Sequence, residues 1–330
     1  MKRKKDAAIE KKRKETDLKI TLIKNPKTGF PIKIKQGELL VQFRKDASVL
    51  DKQSSMSQYH INMDLLRKTS KLEKVRYHRV RIPFGVNIKE TMLNLKNEAM
   101  VENVEFNAIV YSLSTSDYSD AENLWQIDII NAPNAWSVTQ GDSSIQIAVI
   151  DSGIDSDHPA FSNNILPGYN FLDGNSDTED LLGHGTHVSG IIAAQGGVSN
   201  IAGIAPNCNI VPLKVLDGNG YGNVAAVADA ILYAADHGYK IINLSLGTYY
   251  ESSLLREAVK YAWTKGCVMV AAGGNEGTDE ACYPAAAYTI MYHQKRNQQA
   301  RKSHWKTRLK KLGELGIKIS QLKSCVPREI

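Results

Sequence analysis

The alternation of apolar strands with helices in the second half of the chain narrows the possible folds more than any other feature. Apolar runs and helical patterns succeed one another, with strands expected at 145–150, 210–216, 241–246 and 268–272 and helices at 224–235 and 254–264. Strands that are apolar along their whole length are typical of a parallel sheet that is covered on both faces. The sequence therefore predicts an α/β fold, a parallel sheet with helices on both faces.

Polar motifs stand where three of these strands end. Asp151 follows the first strand in Asp-Ser-Gly, Ser245 lies at the end of the third in Ser-Leu-Gly, and Asn275 lies in Gly-Asn-Glu-Gly after the fourth. Binding and catalytic sites of parallel sheets gather beyond the carboxyl ends of the strands. We therefore expect these three residues to contribute to one site.

A histidine stands between two glycines in the sequence Gly-His-Gly-Thr-His-Val-Ser-Gly, residues 183–190. Small residues mixed with an apolar run predict a helix that is buried on all sides, with His184 in its first turn. A rigidly held histidine beside a cleft suits a general base, because its imidazole titrates near neutral pH. Two other interpretations stay open on local sequence alone: His184 and His187 could bind a metal ion, or both could be histidines of the core.

Four motifs in this order resemble those of the subtilisin-like serine proteases, and most of all their thermitase-like members. They read VIDSGIDSDHP, GHGTHVSGIIAA, INLSLG and VAAGGNEG, and the resemblance extends from about residue 124 to residue 289. It implies an endopeptidase that hydrolyses peptide bonds in proteins with an Asp-His-Ser triad.

The resemblance also implies the role of each site residue. Asp151 would be the acid of the triad, His184 the general base, and Asn275 a side-chain donor to the oxyanion. A substrate strand would add to two glycine-rich segments, above a pocket lined by two further glycines. These substrate-binding residues are Gly220, Tyr221, Gly222, Ser245, Leu246, Gly247, Gly273 and Gly274.

The nucleophile of this family lies in a Gly-Thr-Ser-Met-Ala motif, which the 330 residues do not contain. The only serines after Asn275 are Ser303, Ser320 and Ser324, and none of them precedes an apolar helix. Without a hydroxyl to activate, we expect negligible peptidase activity from this chain. A non-catalytic, peptide-binding pseudo-protease is the alternative function.

The segment 290–330 does not continue the strand–helix alternation and is strongly basic. Codons exist for residues 322–329 that spell Glu-Val-Met-Cys-Ala-Pro-Gly when read two bases on, as a family member could carry there. Our hypothesis is a change of reading frame near residues 286–291. A genuinely divergent tail with a binding role of its own is the alternative.

The N-terminal part predicts a small α+β module of ferredoxin-like type at 36–111. Its strands are expected at 37–43, 74–82 and 101–110, and its helices within 47–66 and 87–98. The module resembles the propeptide of the same family, an inhibitor that binds the peptidase domain of its own chain. We expect a flexible basic segment at 1–35 and, at 112–123, a polar linker that contains the processing site.

Charge restricts the partners. The basic residues concentrate at 1–14 and 293–330, so the net charge of +6 conceals an acidic body. Neither end has aromatic residues interleaved with its basic residues, so we expect no nucleic-acid partner. We expect protein or peptide substrates and a monomeric chain. The sequence contains no apolar run of about 18 residues and so predicts no membrane span, and no secretory signal is visible in it. Secretion is implied by the resemblance alone.

A metal ion is expected only weakly. Asp173, Asn175, Asp177 and Glu179 offer oxygen ligands at alternate positions, as calcium requires, but a solvated acidic loop is the favoured interpretation. No cofactor is required for the chemistry that the resemblance implies. Cys208 and Cys267 lie in apolar runs, which indicates buried thiols.

Overall fold

Two sheets organise the part of the chain that the computed structural model describes. The described residues are 19–24, 31–61, 71–113, 127, 130–195, 202–275, 280–287 and 291–293. The predicted processing region at 114–123 and the basic tail from 294 onward lie outside these residues. The first sheet is antiparallel and belongs mainly to the N-terminal module, whereas the second is parallel.

The N-terminal module is a small α+β unit in which a long central strand pairs with three others. Its elements are β1 (Ile20–Lys24), β2 (Pro31–Phe43), α1 (Val49–Ser57), β3 (Tyr77–Arg81), α2 (Ile88–Lys96) and β4 (Val101–Ser112). Strand β2 is antiparallel to β1, β3 and β4. Ser48 and Asp51 form a capping box that starts α1, and Asn87 caps α2 by accepting from Lys89 N.

The prediction that residues 1–35 are flexible is wrong for the part of this segment that forms paired strands. Residues 20–24 form β1, which pairs with residues 31–35 of β2. This hairpin buries Ile23 of β1 and Ile34 of β2, which are 8% and 1% exposed. Ile34 stands between two lysines, and the basic composition of the segment concealed the strands. Residues 1–18 and 25–30 lie outside the described part.

The second sheet confirms the predicted α/β fold. Its six strands are all parallel, in the spatial order β12-β11-β9-β5-β7-β6. They are β5 (Gln146–Asp151), β6 (Tyr169–Asn170), β7 (Asn209–Lys214), β9 (Ile241–Leu244), β11 (Val268–Ala272) and β12 (Met291–His293). Strand β12 lies beyond residue 289, where the sequence pattern indicated the end of the domain.

Helices cover both faces of this sheet, and alternate residues of β5 show the two sides. Ile147 and Val149 pack in one cluster with Ala193, whereas Ala148 and Ile150 belong to a larger core on the other face. The helices are α3 (Ala132–Trp136), α4 (His184–Ala193), α5 (Val224–Asp236) and α6 (Ser253–Thr264). Helix α4 lies on the first face, while α5 and α6 lie on the second.

Helix α4 is not buried on all sides, contrary to the prediction. His184 is 1% exposed, but His187 is exposed and Ile191 retains 43% of its accessible surface. His187 and Ile191 are four residues apart and therefore share one side of the helix. The helix is apolar in composition because its buried side packs against the sheet, and the other side simply tolerates small and apolar residues.

Two short strands join the sheets. Strand β8 (Tyr221–Asn223) precedes α5, and β10 (Leu246–Gly247) follows β9. Both pair antiparallel with the end of β4, which therefore connects the N-terminal module to the parallel sheet.

Candidate active site

Asp151 and His184 form a buried hydrogen-bonded pair. Asp151 is the last residue of β5 and His184 the first of α4, and their relative exposures are 0% and 1%. His184 Nδ1 lies 2.6 Å from Asp151 Oδ1. An ionised carboxylate can only accept, so Nδ1 carries the proton and Nε2 is the basic nitrogen. Within the described part of the chain Nε2 has no hydrogen-bond partner.

Glycines allow the helix to start this close to the strand. Gly183, with a φ of +93°, precedes the helix in the left-handed region that favours glycine. A Cβ on Gly185 would stand 2.2 Å from the carbonyl oxygen of Gly153. The first turn of α4 can therefore touch the backbone beyond β5 only because position 185 has no side chain.

Asp180 organises the turn that leads into the helix. Its carboxylate accepts hydrogen bonds from Ser152 Oγ, from the backbone N–H groups of Leu182, Gly183 and Thr186, and from Thr186 Oγ1, at 2.7–3.0 Å. Burial alone would raise the pKa of Asp180, but these hydrogen bonds hold it below its ordinary value. Asp180 thus fixes the loop that delivers His184, a role that the sequence interpretation missed.

The electrostatics of the pair favour a protonated imidazole. Burial on its own would lower the pKa of His184, because the charged form loses its hydration. The hydrogen bond to Asp151 and the negative charges of Asp151 and Asp180 outweigh burial, so the pKa of His184 is raised. This arrangement stabilises the imidazolium that a general base forms when it accepts a proton.

The end of β4 lies between the two segments that the resemblance implies for substrate binding. On one side Val110 pairs with Gly222, and on the other Ser112 pairs with Leu246. The hydrogen bonds continue past the strand, with Ser112 N donating to Gly220 O and Leu113 N to Ser245 O, each at 3.1 Å. Ser112 and Leu113, which the sequence interpretation assigned to the linker, are therefore part of this pairing.

Glu105 of β4 receives the first turn of α6. Its carboxylate accepts from Ser252 Oγ at 2.8 Å, from Ser253 N at 2.9 Å and from Leu254 N at 3.1 Å. Glu105 is 4% exposed. A carboxylate at a helix N-terminus satisfies donors that have no partner within the helix and interacts favourably with the helix dipole.

Asn107 does the same for α5. Its side-chain oxygen accepts from Ala225 N at 3.1 Å, and its Nδ2 donates to Asn223 Oδ1 at 3.2 Å. Asn223 in turn accepts from Ala226 N. Two buried polar residues of β4, Glu105 and Asn107, therefore bind two helix N-termini of the parallel-sheet domain.

The remaining predicted site residues follow β11. Gly273 and Gly274 are half-buried, Gly274 has a φ of +102°, and Asn275 is exposed. They stand at the carboxyl end of a strand that is separated from β5 by β9 alone. Glu276 and Gly277 of the same motif lie outside the described residues.

The candidate calcium loop uses its oxygens internally. Asn175 Oδ1 accepts from Asp177 N, Asp177 Oδ1 accepts from Glu179 N, and Asp173 Oδ2 accepts from Asn170 Nδ2. In the described ranges no three His, Cys, Asp or Glu side chains converge as metal ligands. These hydrogen bonds occupy one oxygen each of Asp173, Asn175 and Asp177, and calcium binding by this loop stays a prediction.

Two thiols are buried, as the sequence predicts. Cys208 and Cys267 are buried, at 3% and 1% exposure. Among the helices that the structure describes, none is both long and apolar enough to cross a membrane.

Similar proteins indicate the family to which this chain belongs. A model described as the subtilase family matches residues 142–303. The chain is 36% identical over 283 residues to the thermophilic serine proteinase of Bacillus sp. (strain AK1), covering 82% of this chain and 68% of that protein. It is 42% identical over 179 residues to thermitase of Thermoactinomyces vulgaris, covering 54% of this chain and 64% of thermitase.

Among solved structures, the chain is similar to fervidolysin from Fervidobacterium pennivorans, described as a keratinolytic enzyme related to subtilisin. The TM-score is 0.64 at 25% identity, and the match covers 78% of this chain and 43% of fervidolysin. The chain thus spans about two thirds of two relatives and less than half of the third. From the matched residues, the parallel sheet and the buried Asp151–His184 pair, we conclude that this chain belongs to the subtilase family.

Proposed function

We propose that this chain is the precursor of a subtilisin-like serine endopeptidase in which the N-terminal module fills the substrate groove. One observation supports this proposal above all: β4 pairs on both sides with β8 and β10, the two segments that the resemblance implies for substrate binding, in a structure that also contains a buried Asp151–His184 pair. An extended peptide substrate binds in the same way, as a strand that is added to exposed strand edges.

Each residue has a defined part in the proposed reaction. A serine hydroxyl attacks the peptide carbonyl, His184 Nε2 accepts the hydroxyl proton, and Asp151 holds the imidazole and stabilises its positive charge. Asn275 donates a hydrogen bond to the oxyanion that forms on the carbonyl oxygen. The imidazolium then gives its proton to the leaving amine, and water repeats the sequence on the acyl-enzyme.

This chain supplies the base but not the nucleophile. Its 330 residues contain no Gly-Thr-Ser-Met-Ala sequence, and the serines after Asn275 all lie in the basic tail. We therefore propose that the groove formed by these residues holds a peptide strand, and that cleavage requires a serine nucleophile that this stretch does not supply.

A chimera tests the proposed function. Residues after Ala287 would be replaced by the corresponding C-terminal segment of thermitase, which restores a family nucleophile to the same sheet. We expect the folded chimera to hydrolyse a protein substrate such as casein, because the base, its carboxylate partner and the groove are all contributed by this chain.

Two control variants make the chimera decisive. His184→Ala in the chimera removes the base and should abolish hydrolysis, whereas His187→Ala, on the exposed side of the same helix, should leave most of it. A chimera that folds cooperatively but hydrolyses no substrate would overturn the proposal, as would activity that survives His184→Ala.

A further inference from the structure

Lys214 is a lysine that the fold buries beside the candidate active site. It is the last residue of β7 and is 5% exposed. Among the buried residues that the structure describes, it is the only lysine or arginine. Lysines are almost never fully buried unless their charge is paired. The surroundings of the ammonium group should therefore show what it does there.

The pairing of β7 with β5 places Lys214 next to Asp151. The two strands are parallel, and Lys214 stands opposite Asp151 in their register, as Ile210 stands opposite Ile147. Side chains at matched positions of neighbouring strands project from the same face of a sheet. Ile147 and Ile210 agree with this rule, because they pack in one cluster. Lys214 and Asp151 therefore leave the same face, each at the carboxyl end of its strand.

Lys214 reaches the active-site pair through Ser152. Its Nζ donates a hydrogen bond to the carbonyl oxygen of Ser152. The backbone N–H of Ser152 donates to Asp151 Oδ1 at 2.7 Å, the same oxygen that lies 2.6 Å from His184 Nδ1. Ser152 Oγ accepts from Gly185 N, in the first turn of α4, at 2.8 Å. The residue that Lys214 holds is thus bonded both to the carboxylate and to the helix of the pair.

The ammonium group also faces negative charge. Burial lowers the pKa of Lys214, and nearby carboxylates oppose this effect because they favour the charged form. These carboxylates belong to Asp180, Asp217, Asp177 and Asp173, of which Asp180 has the largest influence. The attraction is mutual, so the charge of Lys214 offsets the charge of Asp180.

The charge of Asp180 also reaches His184. Asp151 and Asp180 both raise the pKa of His184, and His187, one turn along α4, interacts with it electrostatically. Without an opposing charge, Asp180 would favour the protonated imidazole still further. A general base works best when its pKa lies near the working pH, because it must be neutral to accept a proton. The positive charge of Lys214 beside Asp180 limits the rise.

Building on the proposed function, we propose that Lys214 is a positioning residue for the Asp151–His184 pair. Its ammonium group fixes Ser152, so that the Ser152 N–H holds Asp151 Oδ1 in line with His184 Nδ1. Its charge offsets Asp180, so that Asp151 remains the carboxylate that governs the imidazole. Lys214 acts through Ser152 and Asp180 and does not contact the substrate.

NMR of the intact chain tests this role without any catalytic turnover. Lys214→Met keeps the length of the side chain but removes its charge and its hydrogen bond. In calcium-free buffer, this variant should raise the pKa of His184 by about half a pH unit or more, because the charge of Asp180 is no longer offset. The Nδ1–H proton of His184 should also exchange faster with water, because Asp151 Oδ1 is held less firmly.

Two further variants at position 214 separate charge from packing. Lys214→Arg keeps a positive charge and should leave the pKa of His184 near that of the unchanged chain. Lys214→Gln keeps a hydrogen-bond donor without the charge, so it should raise the pKa as Lys214→Met does. It also provides a second neutral variant if Lys214→Met does not unfold cooperatively in urea.

Lys240→Met is the matched control. Lys240 also donates to a backbone carbonyl, that of Lys265, but it is exposed and precedes β9 at the amino end of the sheet. This variant should change neither the pKa of His184 nor the exchange of its Nδ1–H proton. A folded neutral variant of Lys214 that leaves both unchanged would overturn the proposal, as would equal changes in Lys240→Met.

The active chimera extends the test to catalysis. The acid limb of the pH profile of kcat/KM reports the deprotonation of the general base. Lys214→Met should move this limb to higher pH by as much as the NMR titration moves the pKa of His184, while Lys240→Met should leave it in place. A limb that stays in place would contradict the role of Lys214. An inactive chimera, together with the NMR changes in the intact chain, would refute the proposed function and leave the effect of Lys214 on the pair intact.

Discussion

Replacement of Glu105 by glutamine should destabilise the chain far more than its size suggests. The two carboxylate oxygens of Glu105 accept hydrogen bonds from three donors. Oε1 accepts from Ser252 Oγ and Leu254 N, and Oε2 accepts from Ser253 N. Glutamine keeps one oxygen but turns an N–H group towards Ser253 N–H, so one buried donor loses its acceptor. The remaining bonds also lose the charge that strengthens them.

The magnitude follows from these contacts. A buried donor without a partner costs about 1–3 kcal/mol, and loss of a carboxylate at a helix N-terminus adds about 0.3–1 kcal/mol. We therefore expect Glu105→Gln to lower the free energy of unfolding by about 2–3 kcal/mol. Urea unfolding, followed by circular dichroism and tryptophan fluorescence, measures this change.

A matched substitution on the same strand is the control. Glu102 is exposed and pairs with Arg76 at the surface, so Glu102→Gln should cost less than about 1 kcal/mol. If Glu105→Gln were no more costly than Glu102→Gln, the claim that β4 stabilises α6 through its carboxylate would be refuted.

Three further predictions follow from single residues. Burial and the nearby Lys52 lower the pKa of His78 to about 4. The free energy of unfolding should therefore fall by up to about 3 kcal/mol as the pH drops from 6.5 towards 4. His78→Gln should abolish this part of the pH dependence, which urea unfolding measures. Gly185→Ala should lower the free energy of unfolding by about 1–3 kcal/mol, because the added methyl group meets the carbonyl oxygen of Gly153. Gly190→Ala in the same helix meets open space and should stabilise the chain slightly. Comparable melting temperatures of the two variants would contradict this prediction. A fluorophosphonate should label no serine of this chain under conditions that label thermitase, and any labelled serine would disprove the absence of a nucleophile.

The regular elements were predictable because their signals are local. Apolar runs placed β5, β7, β9 and β11 within a few residues, and the motif around His184 placed the start of α4. The β1–β2 hairpin was missed because it lies in a segment that is basic overall. The alternation of isoleucine with lysine covers only residues 32–35 of β2, and β1, with the sequence ITLIK, does not alternate.

The contacts that complete the site depend on residues far apart in the sequence. Glu105 and Ser252 are separated by 147 positions, and Asn107 and Ala225 by 118. Asp180 differs, since it stands four residues before His184 in a turn, and its proximity to the motif could have indicated its role. Pairing of β4 with β8 and β10 requires the folded domains, and no local pattern predicts its register.

The pKa of His184 measures the central claim most directly. An NMR pH titration of the chain as it stands should give a value above the ordinary 6.5 or so of histidine, because Asp151 outweighs burial. In Asp151→Asn, burial becomes the dominant influence and the pKa should fall below that value, while Asp142→Asn on the surface should leave it unchanged. A His184 pKa that is the same with aspartate and asparagine at position 151 would contradict a catalytic Asp–His pair.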